Sequence, residues 1–340
     1  MTRILVIRFS AMGDVAMTLP IIRLILLENT TIEITFLTRK NYSPLFENID
    51  RLKVIGIDFS KNYNKCLGLK KLHRDLSINN KFDAIIDLHD VLRTKILRSY
   101  FKFSGTKVFT IDKDRSAKRK MIRSKILKPL PHSTTRYLNV FKKAGIFANE
   151  NNIIFPSIVF SEKDKNIMNE FLSNYQQPFI AFAPFAKHAS KTLPLNKSEQ
   201  IIKKLSEKFT VFLLGGNENI QQFDEWKNTH SNVYTTTSLQ LTQQVLLMSS
   251  MKAVISMDSA NMHLAAIQGV PVLSIWGATH PYFGFSGINT TPSSWISTKE
   301  KLYCRPCSIF GNKSCINKKE PFACLNQIEI ADILEAIALI

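Results

Sequence analysis

The 340-residue sequence has no apolar run of the ~18–20 residues that a membrane-spanning helix needs, and the longest candidate, Leu19 to Leu27, is interrupted by Arg23. Met1 to Ser10 reads as a strand, not as a basic region followed by an apolar one, so no signal peptide and a cytoplasmic location are expected. No Gly-x-Gly-x-x-Gly follows any strand pattern, which argues against a dinucleotide-dependent dehydrogenase. No recognition-helix motif, RNP-like strand or aromatic-interleaved basic patch stands out, which argues against a nucleic-acid-binding protein. Tandem repeats and low-complexity tracts are missing as well. Acidic residues are scarce in one stretch: between 91 and 143, sixteen basic residues face only Asp112 and Asp114.

What is present is an ordinary globular mixture, 45% hydrophobic and 21% charged. The length exceeds what one hydrophobic core usually fills, so two domains are expected. The net charge of +18 is carried unevenly. Residues 1–150 hold 29 basic and 13 acidic residues, whereas residues 151–340 hold 16 and 14. A half with that field should meet something anionic: nucleic acid, a membrane surface or a phosphorylated substrate. A solvated basic face kept for solubility is the plain alternative.

Ile4–Phe9 is a short, nearly unbroken apolar run, as a strand buried on both faces should be. Further strands are expected at Ile32–Leu37, Asp83–Leu88 and Val108–Ile111, with helices at about 15–28, 43–48, 92–102 and 134–144. The second half repeats the plan. Strands are expected at Phe179–Ala183, Val211–Leu214, Val233–Thr236, Ala253–Met257 and Val272–Trp276, with helices at about 162–174, 196–208, 219–228, 240–250 and 260–268. This alternation predicts doubly wound parallel sheets. Residues 145–160 are polar and break both periodicities, so the domain boundary is set there. The expected units are an N-terminal Rossmann-like domain over 1–155, a C-terminal one over 156–325, and a last helix over 326–340.

In open α/β sheets ligands sit at the carboxyl ends of strands, so the loops there are the places to look for chemistry. Ser10 to Gly13 and then Asp14 follow the first strand. Asp14 suits a helix cap, or a general base that takes a proton from a bound hydroxyl. Lys187 and Lys191 follow the strand ending at Ala183; each is either a plain surface lysine or a point charge for a phosphate. Asp258-Ser259-Ala260-Asn261-Met262-His263 joins a strand to a helix, where backbone N–H groups and Ser259 suit an anion, although Asp258 suits a cap equally well. Gly215-Gly216-Asn217-Glu218 and Trp276-Gly277-Ala278-Thr279 end two more strands, and Glu218 could accept from a ribose. Cys304, Cys307, Cys315 and Cys324 cluster before the last helix. Their C-x2-C-x7-C-x8-C spacing is a weak zinc pattern and suits a reduced structural cluster equally; no metal is expected.

Read together, these segments resemble glycosyltransferase family 9, the lipopolysaccharide heptosyltransferases. The likeness rests on Ile4 to Val15 with Thr18-Leu19-Pro20, Asp83 to Leu88, His132 to Tyr137 and the strand and loop reaching Lys191. Gly215-Gly216, Asp258 to His263 and Gly277-Ala278-Thr279 complete it. Ala260 stands where family members commonly have glycine, and Leu193 where they often have an aromatic residue. The resemblance implies a GT-B fold, two Rossmann-like domains facing each other across a cleft, with the last helix packing back on the N-terminal domain. It implies an inverting, metal-independent transfer of heptose from ADP-heptose, with no cofactor, to an anionic Kdo-lipid A type acceptor. Asp14 would be the base and Lys191 the cation on the departing diphosphate. Lys187, Glu218, Leu239, Asp258, Ser259, Ala260, His263 and Thr279 would line the donor. Ser10, Met12, Gly13, Lys118, Arg119, His132 and Arg136 would line the acceptor. The basic stretch 113–128 would hold the acceptor's acidic groups and touch the inner leaflet, and the protein is expected to be a monomer. A family 9 enzyme with another nucleotide-sugar or glycan acceptor is the nearest alternative, and a basic nucleic-acid-binding protein a distant one.

Overall fold

The computed structural model describes residues 1–61, 63, 65–78 and 80–340, and for residue 65 the backbone alone. It divides into two compact units, residues 1–113 with 133–159, and residues 114–132 with 160–340. Each is built on a wholly parallel sheet.

The first sheet has the order β3-β2-β1-β4-β5, with β1 at Thr2–Ile7, β2 at Ile32–Arg39, β3 at Leu52–Ile57, β4 at Ala84–Asp87 and β5 at Lys107–Thr110. In register, Ile4 of β1 lies between Ile34 of β2 and Ala84 of β4. Such a strand has no solvated face, which explains its unbroken apolar run. Helices α1 (Met12–Ala16) and α2 (Thr18–Glu28) follow β1. Helices α3 (Lys65–Ile78) and α4 (Leu92–Phe103) pack against each other and bury Leu69, Leu72, Leu76, Leu97 and Phe101 in a core with Leu5, Ile7 and Ile85. The expected helix at 43–48 is instead a 3-10 turn over Lys40–Phe46 containing Pro44. Helix α5 (Arg115–Ser124) belongs to the second unit, and α6 (Ser133–Lys143) returns to the first, packing on α2.

The second sheet has the order β11-β10-β9-β6-β7-β8. Its strands are β6 (Phe179–Ala183), β7 (Thr210–Leu213), β8 (Val233–Thr235), β9 (Ala253–Met257), β10 (Val272–Ile275) and β11 (Trp295–Ile296). Around them run α7 (Glu162–Leu172), α8 (Leu195–Ser206), α9 (Ile220–Thr229), α10 (Leu241–Met248), α11 (Ala260–Ala266), α12 (Ala323–Asn326) and α13 (Ile330–Ala338). Helix α13 packs on α8 and β10, and its Ile333 and Ile337 complete a core with Ile180, Trp226 and Ile255.

Residues 114–132 lie within the stretch that the sequence pattern assigns to the first domain, yet they are tied to the second unit. Lys125 Nζ donates to the carbonyls of Cys304 and Pro306 at 2.9 and 2.8 Å, and Leu130 N–H donates to Tyr282 O at 3.0 Å. The sequence boundary at 155/156 compares with a passage between compact units at 159/160. Among the described residues no helix is long and apolar enough to cross a membrane.

Candidate active site

Each sheet gathers candidate residues along its carboxyl edge, as doubly wound topology requires. In the first unit the loop after β1 presents Ser10, Met12, Gly13 and Asp14. Asp14 is the third residue of α1, and its Oδ2 accepts from Ala11 N–H at 3.3 Å, so it does cap the first turn. The same oxygen is ion-paired with Arg8 Nη2 at 2.8 Å. Arg8 is buried beyond the end of β1, donates to Leu88 O, and lies over the Tyr137 ring at 5.5 Å. Tyr137 in turn donates from its hydroxyl to Asp14 O at 3.2 Å. Burial works against the Arg8 charge, and Asp14 with Tyr137 outweighs it, leaving the guanidinium above its ordinary value. The carboxylate is therefore fixed in place by a cation that solvent scarcely reaches.

Beside it, Asp87 ends β4 fully buried, paired with Arg98 at 2.8 Å. Asp87 also accepts the backbone N–H groups of His89 and Asp90, both at 2.9 Å, which shapes the turn that presents His89. His89 Nδ1 accepts from Phe9 N–H at 3.4 Å, so its proton sits on Nε2, 3.2 Å from Ser10 Oγ. Burial, then Arg8 and Lys113, push His89 down to about 3, so the ring is neutral at physiological pH. Its Nε2–H occupies a lone pair of Ser10, which directs the serine's own proton elsewhere. Neither Arg8 nor His89 was flagged by the sequence pattern, because a single basic residue beside an apolar run carries no periodic signal.

In the second unit the order of strands sets the order of candidate groups: Thr279 after β10, Asp258 and Ser259 after β9, Lys187 and Lys191 after β6, Glu218 after β7, and Leu239 after β8. Lys191 Nζ pairs with Asp258 Oδ2 at 2.9 Å, and Thr279 donates to that oxygen at 2.6 Å. Asp258 is buried, and its Oδ2 is taken up by Lys191 and Thr279. Ser259 Oγ lies 3.1 Å from Ser256 Oγ. Ala260 opens α11 and His263 is buried within it. Lys187 and Glu218 are exposed. Gln244 of α10 donates to Gly215 O, Thr236 O and Leu239 O at 3.4, 3.1 and 3.2 Å. It thereby ties the loops that follow β7 and β8, and sequence pattern alone had not singled it out.

The cysteine segment backs this edge. Arg305 Nε donates to Gly277 O at 2.9 Å, Cys307 N–H to Ala278 O at 3.0 Å, and Ser190 Oγ to Gly311 O at 2.7 Å. Gly277 is forced: a Cβ there would come within 2.6 Å of Ser190 O. All four cysteines are free thiols, and burial pushes the Cys324 thiol up to about 12. Among the described residues no group of three or more His, Cys, Asp or Glu is placed to hold a metal ion.

The expected acceptor set is split between the units. Ser10, Met12, Gly13 and Arg136 fall in the first; Lys118, Arg119 and His132 fall in the second. Lys118 is buried, with Nζ 4.1 Å from the centre of the Phe285 ring, and His132 Nε2 lies 2.8 Å from Ser286 O. Arg119 is exposed and Arg136 buried.

Two units, each built on a wholly parallel sheet within α/β architecture, are the build of the GT-B fold. A sequence profile of glycosyltransferase family 9 (heptosyltransferase) matches residues 69–308, and the chain belongs to that family. It is 26% identical over 166 residues to lipopolysaccharide heptosyltransferase 2 of Escherichia coli K12, an alignment covering 45% of this chain and 48% of that enzyme. The chain thus spans about half the length of that relative. The fold is that of a glycosyltransferase family 9 protein of Veillonella parvula, with TM-score 0.78 and 19% identity over 99% of this chain and 96% of that one. A heptosyltransferase of E. coli determined with ADP gives 0.67 and 17% over 99% of each chain.

Proposed function

We propose that this chain is an inverting glycosyltransferase that moves heptose from ADP-heptose to a lipopolysaccharide inner-core acceptor of the Kdo-lipid A type. The observation that carries this reading is the pair of ion pairs on the two carboxyl edges, one offering a carboxylate and the other an ammonium group. Asp14 takes the proton of the acceptor hydroxyl, whose oxygen forms the new bond to the anomeric carbon as the bond to the diphosphate breaks. The configuration at that carbon inverts, and ADP leaves with the bonding electrons. Lys191 meets the charge that develops on the diphosphate, held for that purpose by Asp258, which Thr279 in turn anchors. Ser259 and Lys187 add donors to the same anion, and Glu218 with the loop at Leu239 faces the ribose and base.

The names of the relatives support this choice of reactants. One is a lipopolysaccharide heptosyltransferase, and another was determined with ADP. The charge supports it too, because a phosphorylated, Kdo-bearing acceptor is anionic and the first half of the chain is strongly basic. The reading places the protein at the inner face of the cytoplasmic membrane as a monomer, without nucleic acid. It calls for no cofactor and no divalent metal, so transfer should survive EDTA.

Calorimetric titration with ADP, GDP, UDP, NAD and a short oligonucleotide tests the reading. Selective binding of ADP is expected. Preference for UDP or GDP would retire heptose as the sugar, and binding of the oligonucleotide alone would overturn the enzyme reading.

A further inference from the structure

The first unit carries a second basic feature outside its carboxyl edge. Helices α3 and α4 lie side by side, joined inward by the buried seam of Leu69, Leu72, Leu76, Leu97 and Phe101 and by a His73–Phe101 ring contact at 4.6 Å. Their outward stripes follow from the 3.6-residue period. On α3 these are Leu67, Lys70, Lys71, Arg74 and Ile78; on α4 they are Leu92, Lys95, Lys102 and Phe103. The four large apolar side chains, Leu67, Ile78, Leu92 and Phe103, are 67–88% exposed. The one acidic residue in the two helices, Asp75, is half-buried and accepts from Tyr63. Leu92 and Phe103 stand at opposite ends of α4, about 17 Å apart along its axis.

Basic residues with long apolar stems, interleaved with exposed leucine, isoleucine and phenylalanine along two adjacent helices, match the chemistry of an anionic bilayer surface. The cations meet lipid phosphates while the apolar side chains enter the boundary between headgroups and acyl chains. A face kept only for solubility would not hold four such apolar groups in water. Helix α5 offers a weaker case: Arg119, Lys120 and Arg123 are exposed there, but Met121 is buried and Lys118 is engaged by Phe285.

We propose that the outer face of α3 and α4 is the surface by which this protein lies on an anionic lipid bilayer. The proposal rests on the lipid-acceptor reading above but concerns a different part of the chain. In place of the stretch 113–128, it assigns the main membrane contact to the exposed residues of α3 and α4. With α4 starting next to His89 on the carboxyl edge, a lipid-borne acceptor would be met close to Ser10.

The test is co-sedimentation with vesicles of mixed phosphatidylethanolamine and phosphatidylglycerol, beside vesicles of phosphatidylcholine. Wild type should bind the anionic vesicles and not the neutral ones. Leu67→Ser with Leu92→Ser and Phe103→Ser leaves the charge unchanged and should weaken binding at least tenfold. Lys70→Gln with Lys71→Gln and Arg74→Gln should weaken it about a hundredfold, at roughly fivefold for each cation near the surface. Lys120→Gln with Arg123→Gln should change it no more than about twofold. Thermal unfolding and ADP titration of every variant establish that the fold persists. Wild-type binding by the serine variant, or a greater loss in the α5 variant, would overturn the proposal. So would a concentration-dependent dimer that the serine variant dissociates, because the face would then belong to a second copy. Vesicle binding without ADP binding would instead retire the heptosyltransferase reading and leave the membrane face standing.

Discussion

The two carboxyl edges carry the same device with its polarity reversed. In the Arg8–Asp14 pair the cation is the hidden partner, with side-chain exposures of 6% for Arg8 and 29% for Asp14. In the Lys191–Asp258 pair the order is opposite, at 15% for the lysine and 8% for the aspartate. The buried member in each case has further ties: Leu88 O and Tyr137 for Arg8, and Thr279 for Asp258. The less buried member is the one that solvent reaches. An ion pair with one partner buried is poor evidence for stability, since desolvation offsets much of the attraction. As a positioning device it makes sense, because it fixes one charged group and leaves the other presented. The first edge thus presents a carboxylate and the second an ammonium group.

Substitutions that remove the presented group should cost most. Asp14→Asn removes a base and little volume, and kcat for transfer from ADP-heptose to lipid A bearing Kdo should fall about a thousandfold. Thermal stability should fall as well, because buried Arg8 loses the charge that offsets its burial. Near-normal turnover would make Asp14 a cap and nothing more. Lys191→Ala should cost less, weakening ADP about tenfold to a hundredfold by calorimetry, the range expected when a charged hydrogen bond is lost. Removing a holder should cost less again. Arg8→Met should lower kcat about tenfold with ADP affinity unchanged; a loss of ADP binding would show that the edges are not independent.

The smallest effect concerns pH. His89 is held down to about 3 and His280 to about 4, each chiefly by burial, so the unfolded chain binds more protons than the folded one below the ordinary histidine value near 6.5. Stability should therefore fall as pH drops from about 6.5 towards 4, by roughly 1 kcal/mol per pH unit for His89. His89→Phe should flatten that slope in thermal melts between pH 7 and pH 4.5. An unchanged slope would mean that His89 is protonated without cost in the fold.

How much of this was legible beforehand follows the physics of each element. Central strands such as β1 and β9 are buried on both faces, so their apolar runs announce them, and the loops that follow them lead to Asp14 and Asp258. Edge strand β3, with Lys53 and Gly56, lacks that run and was missed. Helix α3 was missed too, since its outward stripe of leucine and isoleucine blurs the amphipathic period. The helix that the pattern suggests at 43–48 gives way to a 3-10 turn over Lys40–Phe46 that contains Pro44. The partners Arg8, His89 and Gln244 required three dimensions, because what singles them out is the atom each one touches. The charge of 113–128 was legible, but its attachment to the second unit through Lys125 and Leu130 was not.

The division of labour between the edges meets its most direct test in ADP titrations of Asp14→Asn and Lys191→Ala, run side by side against wild type. Wild-type affinity is expected for Asp14→Asn and a loss of about tenfold or more for Lys191→Ala. Equal loss in both, or an affinity untouched by Lys191→Ala, would contradict that division.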